Sequence, residues 1–312
     1  MSQDTGARVL PASFEHHLIH VTPVTVTGVR LSFFTDTGGG QWMLRTAADG
    51  LGLLAHARME AFGDDEVLTV PVPPFRTDAW IPPPNPDHDS VPVLEDVGGD
   101  GSHFQRRLAR DGHSGMLCQQ WFSRRIWEID YPAERLVLHA VEPSHPAGVR
   151  CVPLGFPAPP HEAAQMPAFP RIQATVDGAT LDLLFDTGAH APLTAAAVDA
   201  IGGGLATIRA TSFIIGSIFD RWRAAHPDWR VVEDAEESSG APMIEIPAVD
   251  LAGFDTGPVW FTRRRDANFT EWMSQWMDRT IVGALGGNAF RTFRIVLDYP
   301  AAQATFCQSV RP

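Results

Sequence analysis

Two stretches of the chain align on each other without gaps: Val26-Thr-Gly28-Val-Arg-Leu31-Ser-Phe-Phe-Thr-Asp36-Thr-Gly38 and Val176-Asp-Gly178-Ala-Thr-Leu181-Asp-Leu-Leu-Phe-Asp186-Thr-Gly188, 150 positions apart. In each, a glycine supplies a turn and an apolar run follows, which predicts a hairpin whose second strand ends in Asp-Thr-Gly. A second pair lies further along each half. Trp121-Phe122 through Ile129-Asp130-Tyr131-Pro132-Ala133 matches Ala289-Phe290 through Leu297-Asp298-Tyr299-Pro300-Ala301 at a spacing of 168, so the second half carries 18 extra residues between its landmarks. The only two tyrosines, Tyr131 and Tyr299, hold equivalent places. Self-similarity at a fixed spacing is the mark of a fold assembled from like units. It predicts two similar lobes related by an internal pseudo-twofold.

The Asp-Thr-Gly triplet alone is not selective. It occurs at Asp4, Asp36, Asp186 and Asp255, where ordinary residue frequencies predict about 0.05 occurrences. Asp4 follows only Met-Ser-Gln, with no strand to hold it. Asp255 reads as the tip of a hairpin with Gly253 and Gly257-Pro258 as turn formers, and it has no counterpart in the first half. Asp36 and Asp186 alone close equivalent apolar strands.

An apolar strand ending in Asp-Thr-Gly resembles the active-site loop of retropepsin-like aspartic proteases. Val282-Gly283-Ala284-Leu285-Gly286-Gly287-Asn288-Ala289-Phe290 is similar to the apolar-apolar-Gly segment that crosses behind that loop, and Ile295-Val-Leu-Asp298-Tyr-Pro resembles the terminal hairpin of such domains. The first half has Ser114-Gly115-Met116-Leu117-Cys118-Gln119-Gln120-Trp121-Phe122, with Cys118 where glycine is usual. The resemblance implies a mostly β, acid-protease fold: two similar β-barrel-like lobes with a few short helices, and a cleft with Asp36 facing Asp186 at its floor. It implies an aspartic endopeptidase acting on a polypeptide substrate, with no cofactor and no metal. Thr37, Gly38, Thr187 and Gly188 would hold the loops, each glycine letting backbone amides approach a carboxylate and each threonine hydroxyl bonding across to the other loop.

Hydrolysing a peptide without metal or nucleophilic side chain requires one group to deprotonate water while another protonates the carbonyl oxygen. Two aspartates held close cannot both ionise comfortably, so they share a proton and serve both roles. Pepsin-like enzymes carry a hydroxyl residue after the triplet and a tyrosine in the flap. Here Gly39 and Ala189 follow and both tyrosines lie elsewhere, which brings the likeness nearer to retropepsins. Fewer hydrogen bonds to the ionised pair predict a raised lower apparent pKa and activity at mildly acidic to neutral pH. Flaps are expected near residues 67–80 and 244–259. Two alternatives stay open: a catalytically silent peptide-binding protein of the same fold, and a homodimeric protease using Asp186 with its copy.

The remaining features bound these readings. With 312 residues, 44% hydrophobic and 20% charged, the chain can bury one or two sizeable cores. The proposed organisation is an N-terminal lobe at 1–145, a connector at 146–170 and a C-terminal lobe at 171–312. Eight prolines between 143 and 170 favour extended backbone. A net charge of −13, with Arg263-Arg264-Arg265 the one basic run, argues against a nucleic-acid partner. Three scattered cysteines suggest a reducing compartment. The first twenty residues lack the pattern of a signal peptide, and no apolar run reaches the ~18 residues of a membrane helix. A cytoplasmic monomer with no membrane partner is the expectation, a homodimer the alternative.

Three helices are expected: 194–201, stopped by Gly202-Gly203-Gly204; one carrying Ile214, Ile215, Ile218, Phe219 and Trp222; and one capped by Asn268, with Phe269, Trp272, Met273, Trp276 and Met277 as a core stripe. Glu15-His16-His17-Leu18-Ile19-His20 offers a histidine pair four residues apart but no third ligand, and is read as structural.

Overall fold

The computed structural model describes residues 6–62, 65–85, 88–94, 103–157 and 168–308. Each half of the chain builds a sheet. In the first the strand order is Ala12–Glu15, Leu18–Val21, Phe33–Thr35, Gly115–Leu117, Trp42–Leu44, Ser90–Leu94, Asp65–Pro71 and Arg58–Phe62. The second follows as Phe254–Thr256, Val249–Leu251, Arg171–Val176, Ala179–Phe185, Gly283–Leu285, Ser212–Ile215, Val259–Arg264, Met243–Ile246 and Val231–Val232.

Strand directions correspond as well as order. Phe33–Thr35 runs parallel to Gly115–Leu117, as Ala179–Phe185 does to Gly283–Leu285. Trp42–Leu44 is antiparallel to Gly115–Leu117 and parallel to Ser90–Leu94, and Ser212–Ile215 treats Gly283–Leu285 and Val259–Arg264 the same way. The crossings need glycine. A Cβ at Gly115 would lie 2.2 Å from the Trp42 carbonyl oxygen, and one at Gly283 2.1 Å from that of Phe213.

A six-stranded sheet joins the halves in the order Arg8–Val9, Arg135–His139, Ile126–Asp130, Phe293–Asp298, Gln303–Gln308, Arg150–Pro153. Its central pair is antiparallel, and Glu128 stands opposite Val296, the residue 168 positions on. A local twofold axis therefore passes between these two residues. The flanking bonds obey it: Tyr131 N–H donates to Phe293 O (3.1 Å) and Tyr299 N–H to Arg125 O (3.2 Å). The repeated Asp-Tyr-Pro-Ala explains itself locally, since Asp130 Oδ1 accepts from Ala133 N–H (3.0 Å) and Asp298 Oδ1 from Ala301 N–H (2.8 Å), each closing the turn back into the sheet. Within the connector, Arg150–Pro153 is an edge strand on Gln303–Gln308, while residues 158–167 lie outside the described residues.

Several local expectations need correction. Ile214 and Ile215 belong to the strand Ser212–Ile215, and the helix begins only at Gly216, running to Ala225. Residues 268–277 form a π turn, Asn268–Trp272, followed by a 3-10 turn, Met273–Trp276, with no side-chain cap from Asn268. The apolar stripe splits accordingly: Phe269, Met273 and Met277 are buried, whereas Trp272 and Trp276 are 67% and 44% exposed. The segment 244–259 is not a free flap, because Ile244, Ile246, Val249 and Val259 are fully buried in sheet strands. The helix Ala195–Ile201 is as expected, with Thr194 Oγ1 accepting from Ala197 N–H.

Candidate active site

Both Asp-Thr-Gly loops leave their strands in the same manner. Asp36 N–H donates to Leu117 O (3.1 Å) and Asp186 N–H to Leu285 O (2.9 Å), so each aspartate is anchored on the strand behind it. Gly38 N–H then donates to Asp36 Oδ1 (2.6 Å) and Gly188 N–H to Asp186 Oδ1 (3.0 Å).

The two loops are locked to each other by the threonines. Thr37 N–H donates to Thr187 Oγ1 (3.1 Å) and Thr187 N–H to Thr37 Oγ1 (3.0 Å), while Thr37 Oγ1 donates to Phe185 O (2.6 Å). Both threonines are fully buried. In such a site each bond is stronger than in water, and breaking one strands its partner.

The glycines admit the opposite carboxyl group. A Cβ on Gly38 would lie 2.7 Å from Asp186 Cγ, and one on Gly188 only 2.2 Å from Asp36 Cγ. At Gly39, where a hydroxyl residue stands in pepsin-like sequences, a Cβ would lie 2.6 Å from Asp36 Oδ2. Glycine at 38 and 188 is thus demanded by the close approach of the two loops, and at 39 by the Asp36 carboxylate of its own loop.

Asp36 and Asp186 meet side chain to side chain in a shared hydrogen bond. Burial raises the pKa of both. For Asp186 the neighbouring Asp36 charge and the bond it donates to Asp36 push further in the same direction, so its pKa lies well above the carboxylate range. For Asp36 burial is opposed by the bond accepted from Asp186, the Gly38 N–H and the charge of His190. Both carboxyls are held above their ordinary range and titrate as one pair that can keep a proton between them.

The surroundings are largely apolar. Tyr131 and Tyr299 are driven to high pKa by burial and by the nearby charges of Asp186 and Asp36 respectively. Cys118 is fully buried, and burial followed by the two aspartates pushes its thiol well up. Its presence leaves the first loop undistorted: Thr35 pairs with Leu117 as Phe185 does with Leu285. In the second lobe glycine is obligatory at the matching place, since a Cβ on Gly286 would lie 2.0 Å from Thr211 O.

Two neighbours of the pair escape motif reading. His190, at the place of Gly40 in the first loop, bonds through Nδ1 to Gly188 O (2.7 Å) and packs edge-on to Phe34. Burial lowers its pKa, against the opposing pull of the Gly188 carbonyl and Asp36. Beyond Phe34 lies His20, stacked on His113 and lowered to about 4 by burial and the two neighbouring imidazoles. The second neighbour, Gln41, follows Gly39-Gly40 and is 7% exposed. A break in the repeat, His190 against Gly40, signals the first of them, and no motif signals Gln41.

The other triplets are not brought here. Asp255 faces Asp250, both exposed, in the hairpin Val249–Leu251/Phe254–Thr256 at the sheet edge; the turn is at Ala252-Gly253, so Asp255 and Thr256 lie in the second strand and not at the tip. Asp4 lies outside the described residues. His16 and His17 form the turn of the hairpin Ala12–Glu15/Leu18–Val21, both with positive φ.

Among solved structures the chain is similar to the aspartic proteinase from Irpex lacteus, at 10% identity and a TM-score of 0.52, over 97% of each chain. The fold is that of an aspartic proteinase. Conglutin gamma, a basic 7S globulin from lupine seeds, aligns over 98% of this chain and 96% of its own at 11% identity and a TM-score of 0.48. Basic 7S globulin from soybean aligns over 98% and 95% at 9% identity and a TM-score of 0.49. No protein-family profile matches the chain, and no curated protein matches its sequence. The aspartic proteinase fold explains why the two loops face each other across the joint between lobes.

Proposed function

We propose that the chain is an aspartic endopeptidase of retropepsin-like type in which Asp36 and Asp186 of one chain activate water against a peptide bond. The observation that carries this reading is the pair itself: two buried carboxyls in mutual hydrogen bond, on loops held by reciprocal Thr37–Thr187 bonds. Asp36 takes a proton from water as the oxygen attacks the carbonyl carbon, and Asp186 gives its proton to the carbonyl oxygen, forming a neutral diol. Returning a proton from Asp36 to the amide nitrogen releases the amine, and Asp186 recovers its proton from the diol. Each acid–base role is worth about 10²–10⁴-fold. Thr37, Gly38, Thr187 and Gly188 position the pair, an extended polypeptide lies in the cleft, and no cofactor takes part. Gly39 and Ala189 after the triplets support the retropepsin-like subtype, and the presence of both loops in one chain supports a monomeric enzyme.

The test is cleavage of a peptide library, sensitive to pepstatin, by the wild type and by Asp36→Asn and Asp186→Asn. Both variants are expected to lose cleavage. Activity surviving in Asp36→Asn points to a homodimer built on Asp186, and a wild type that binds peptides without cleaving them points to a silent binder. Because burial raises both carboxyls, the pH–rate profile is expected to peak above the ordinary aspartate value of about 3.9. A peak below about pH 3 contradicts the assignment.

A further inference from the structure

A cavity of about 310 Å³ opens on the first lobe, lined by Gln41, Glu60, Thr69, Asn85, Ser90 and Pro92 among others. Strand register places its Gln41 end two strands from the first aspartate loop. Trp42 stands opposite Met116, so Gln41 falls level with Leu117, which pairs with Thr35, the residue before Asp36. Two residues back along the chain, the Gly39 backbone lies against Asp36 Oδ2.

The lining chemistry favours a donor. Gln41 is 7% exposed and its Oε1 is buried without a hydrogen-bond partner. Leaving such an acceptor unmet costs about 1–3 kcal/mol, which a ligand N–H would recover. Glu60 supplies a carboxylate: Ser90 Oγ donates to Oε2 (2.7 Å), and this bond, partly offset by burial and aided by Arg58 and Thr69, holds its pKa below the usual range. Arg58 Nε bonds to Oε1 at 2.5 Å from outside the cavity lining and is 65% exposed, so an occupant shares the carboxylate, which has further lone pairs to offer, with this guanidinium. An occupant bringing both a positive charge and N–H donors meets both groups, and the net charge of −13 attracts it from a distance.

We propose that this cavity is a specificity pocket for a basic residue, lysine or arginine, of the peptide substrate, with Glu60 facing the charge and Gln41 Oε1 accepting an N–H. The proposal rests on the protease reading above, and its test separates the two. Peptides carrying lysine, arginine or norleucine at each position around the scissile bond are compared as substrates, norleucine being the uncharged match to the lysine stem. At one position the wild type is expected to prefer lysine or arginine over norleucine by about 10–100-fold in kcat/KM. Glu60→Gln and Gln41→Leu are each expected to cut that ratio at least fivefold. Cleavage with no basic preference, or a preference that both variants keep, overturns the pocket and leaves the protease reading standing. The second arm reads binding alone: fluorescein-labelled Ala-Ala-Lys-Ala-Ala amide and its norleucine analogue are titrated onto Asp186→Asn by anisotropy. Tighter binding of the lysine peptide, abolished by adding Glu60→Gln, upholds the pocket even if the wild type cleaves nothing. Equal binding of both peptides overturns it.

Discussion

The threonine lock offers a test of the architecture that needs no substrate. Replacing Thr37 by valine keeps its volume and exchanges Oγ1 for a methyl group. Two bonds go: the one donated to Phe185 O at 2.6 Å and the one accepted from Thr187 N–H at 3.0 Å. Thr37 is fully buried, so water cannot replace what is lost, and each stranded backbone group costs about 1–3 kcal/mol. The sum, about 2–6 kcal/mol, is a large share of a total stability of order 5–15 kcal/mol. The assay is equilibrium guanidinium unfolding followed through the nine tryptophans. Thr37→Ser is the control: it keeps the hydroxyl and loses one methyl, at about 0.8 kcal/mol. Thr187→Val should couple to Thr37→Val by about 0.5–3 kcal/mol in a double-mutant cycle, because the two residues share one ring of bonds. A Thr37→Val loss below about 0.5 kcal/mol, or a Thr37→Ser loss of equal size, refutes the idea that these bonds hold the loops together.

Gly188→Ala is expected to lower peptide cleavage about 100-fold or more, since its Cβ would lie 2.2 Å from Asp36 Cγ and must displace the carboxylate, whereas Gly40→Ala meets nothing within 4 Å and should be silent; kinetics on one peptide compare them. The aspartate pair binds protons more tightly folded than unfolded, so its contribution to stability is full below about pH 3.9 and is lost as pH rises through the raised folded values. Asp186→Asn should therefore unfold at higher denaturant than the wild type at pH 7 and at an equal concentration near pH 3. Glu128 has the opposite sign: the His139 bond (3.1 Å), with Arg294 and Arg135, lowers its pKa despite burial. Its stabilisation is present above about pH 4.3 and lost as pH falls below it. Glu128→Gln should cost about 1–3 kcal/mol at neutral pH and much less at pH 3, measured by the same unfolding curves.

Strand identity and repeat spacing were legible because alternation, glycine turns and apolar runs are properties of neighbouring residues. The repeat also separated Asp36 and Asp186 from Asp4 and Asp255, which no local property of the triplet could do. Helical periodicity misled at Ile214 and Ile215, where both faces of a strand are covered and a continuous apolar run reads equally well as helix. It misled again at Trp272 and Trp276, which follow a 3.6-residue spacing that the π and 3-10 turns do not keep.

What the sequence by itself determined is the pair of equivalent Asp-Thr-Gly loops, each at the end of an apolar strand. Tertiary structure alone decided the rest. Asp36 and Asp186, 150 positions apart, share a hydrogen bond and raised pKa values because the fold brings their two loops together in a buried place. Cys118 is tolerated where Gly286 is not, because only the second lobe brings a carbonyl to 2.0 Å from the Cβ position. Gln41, just before the strand Trp42–Leu44, and Glu60, on the strand Arg58–Phe62, line one cavity although they are 19 positions apart in the chain. Each of these depends on distances across the chain, which no reading of adjacent residues contains.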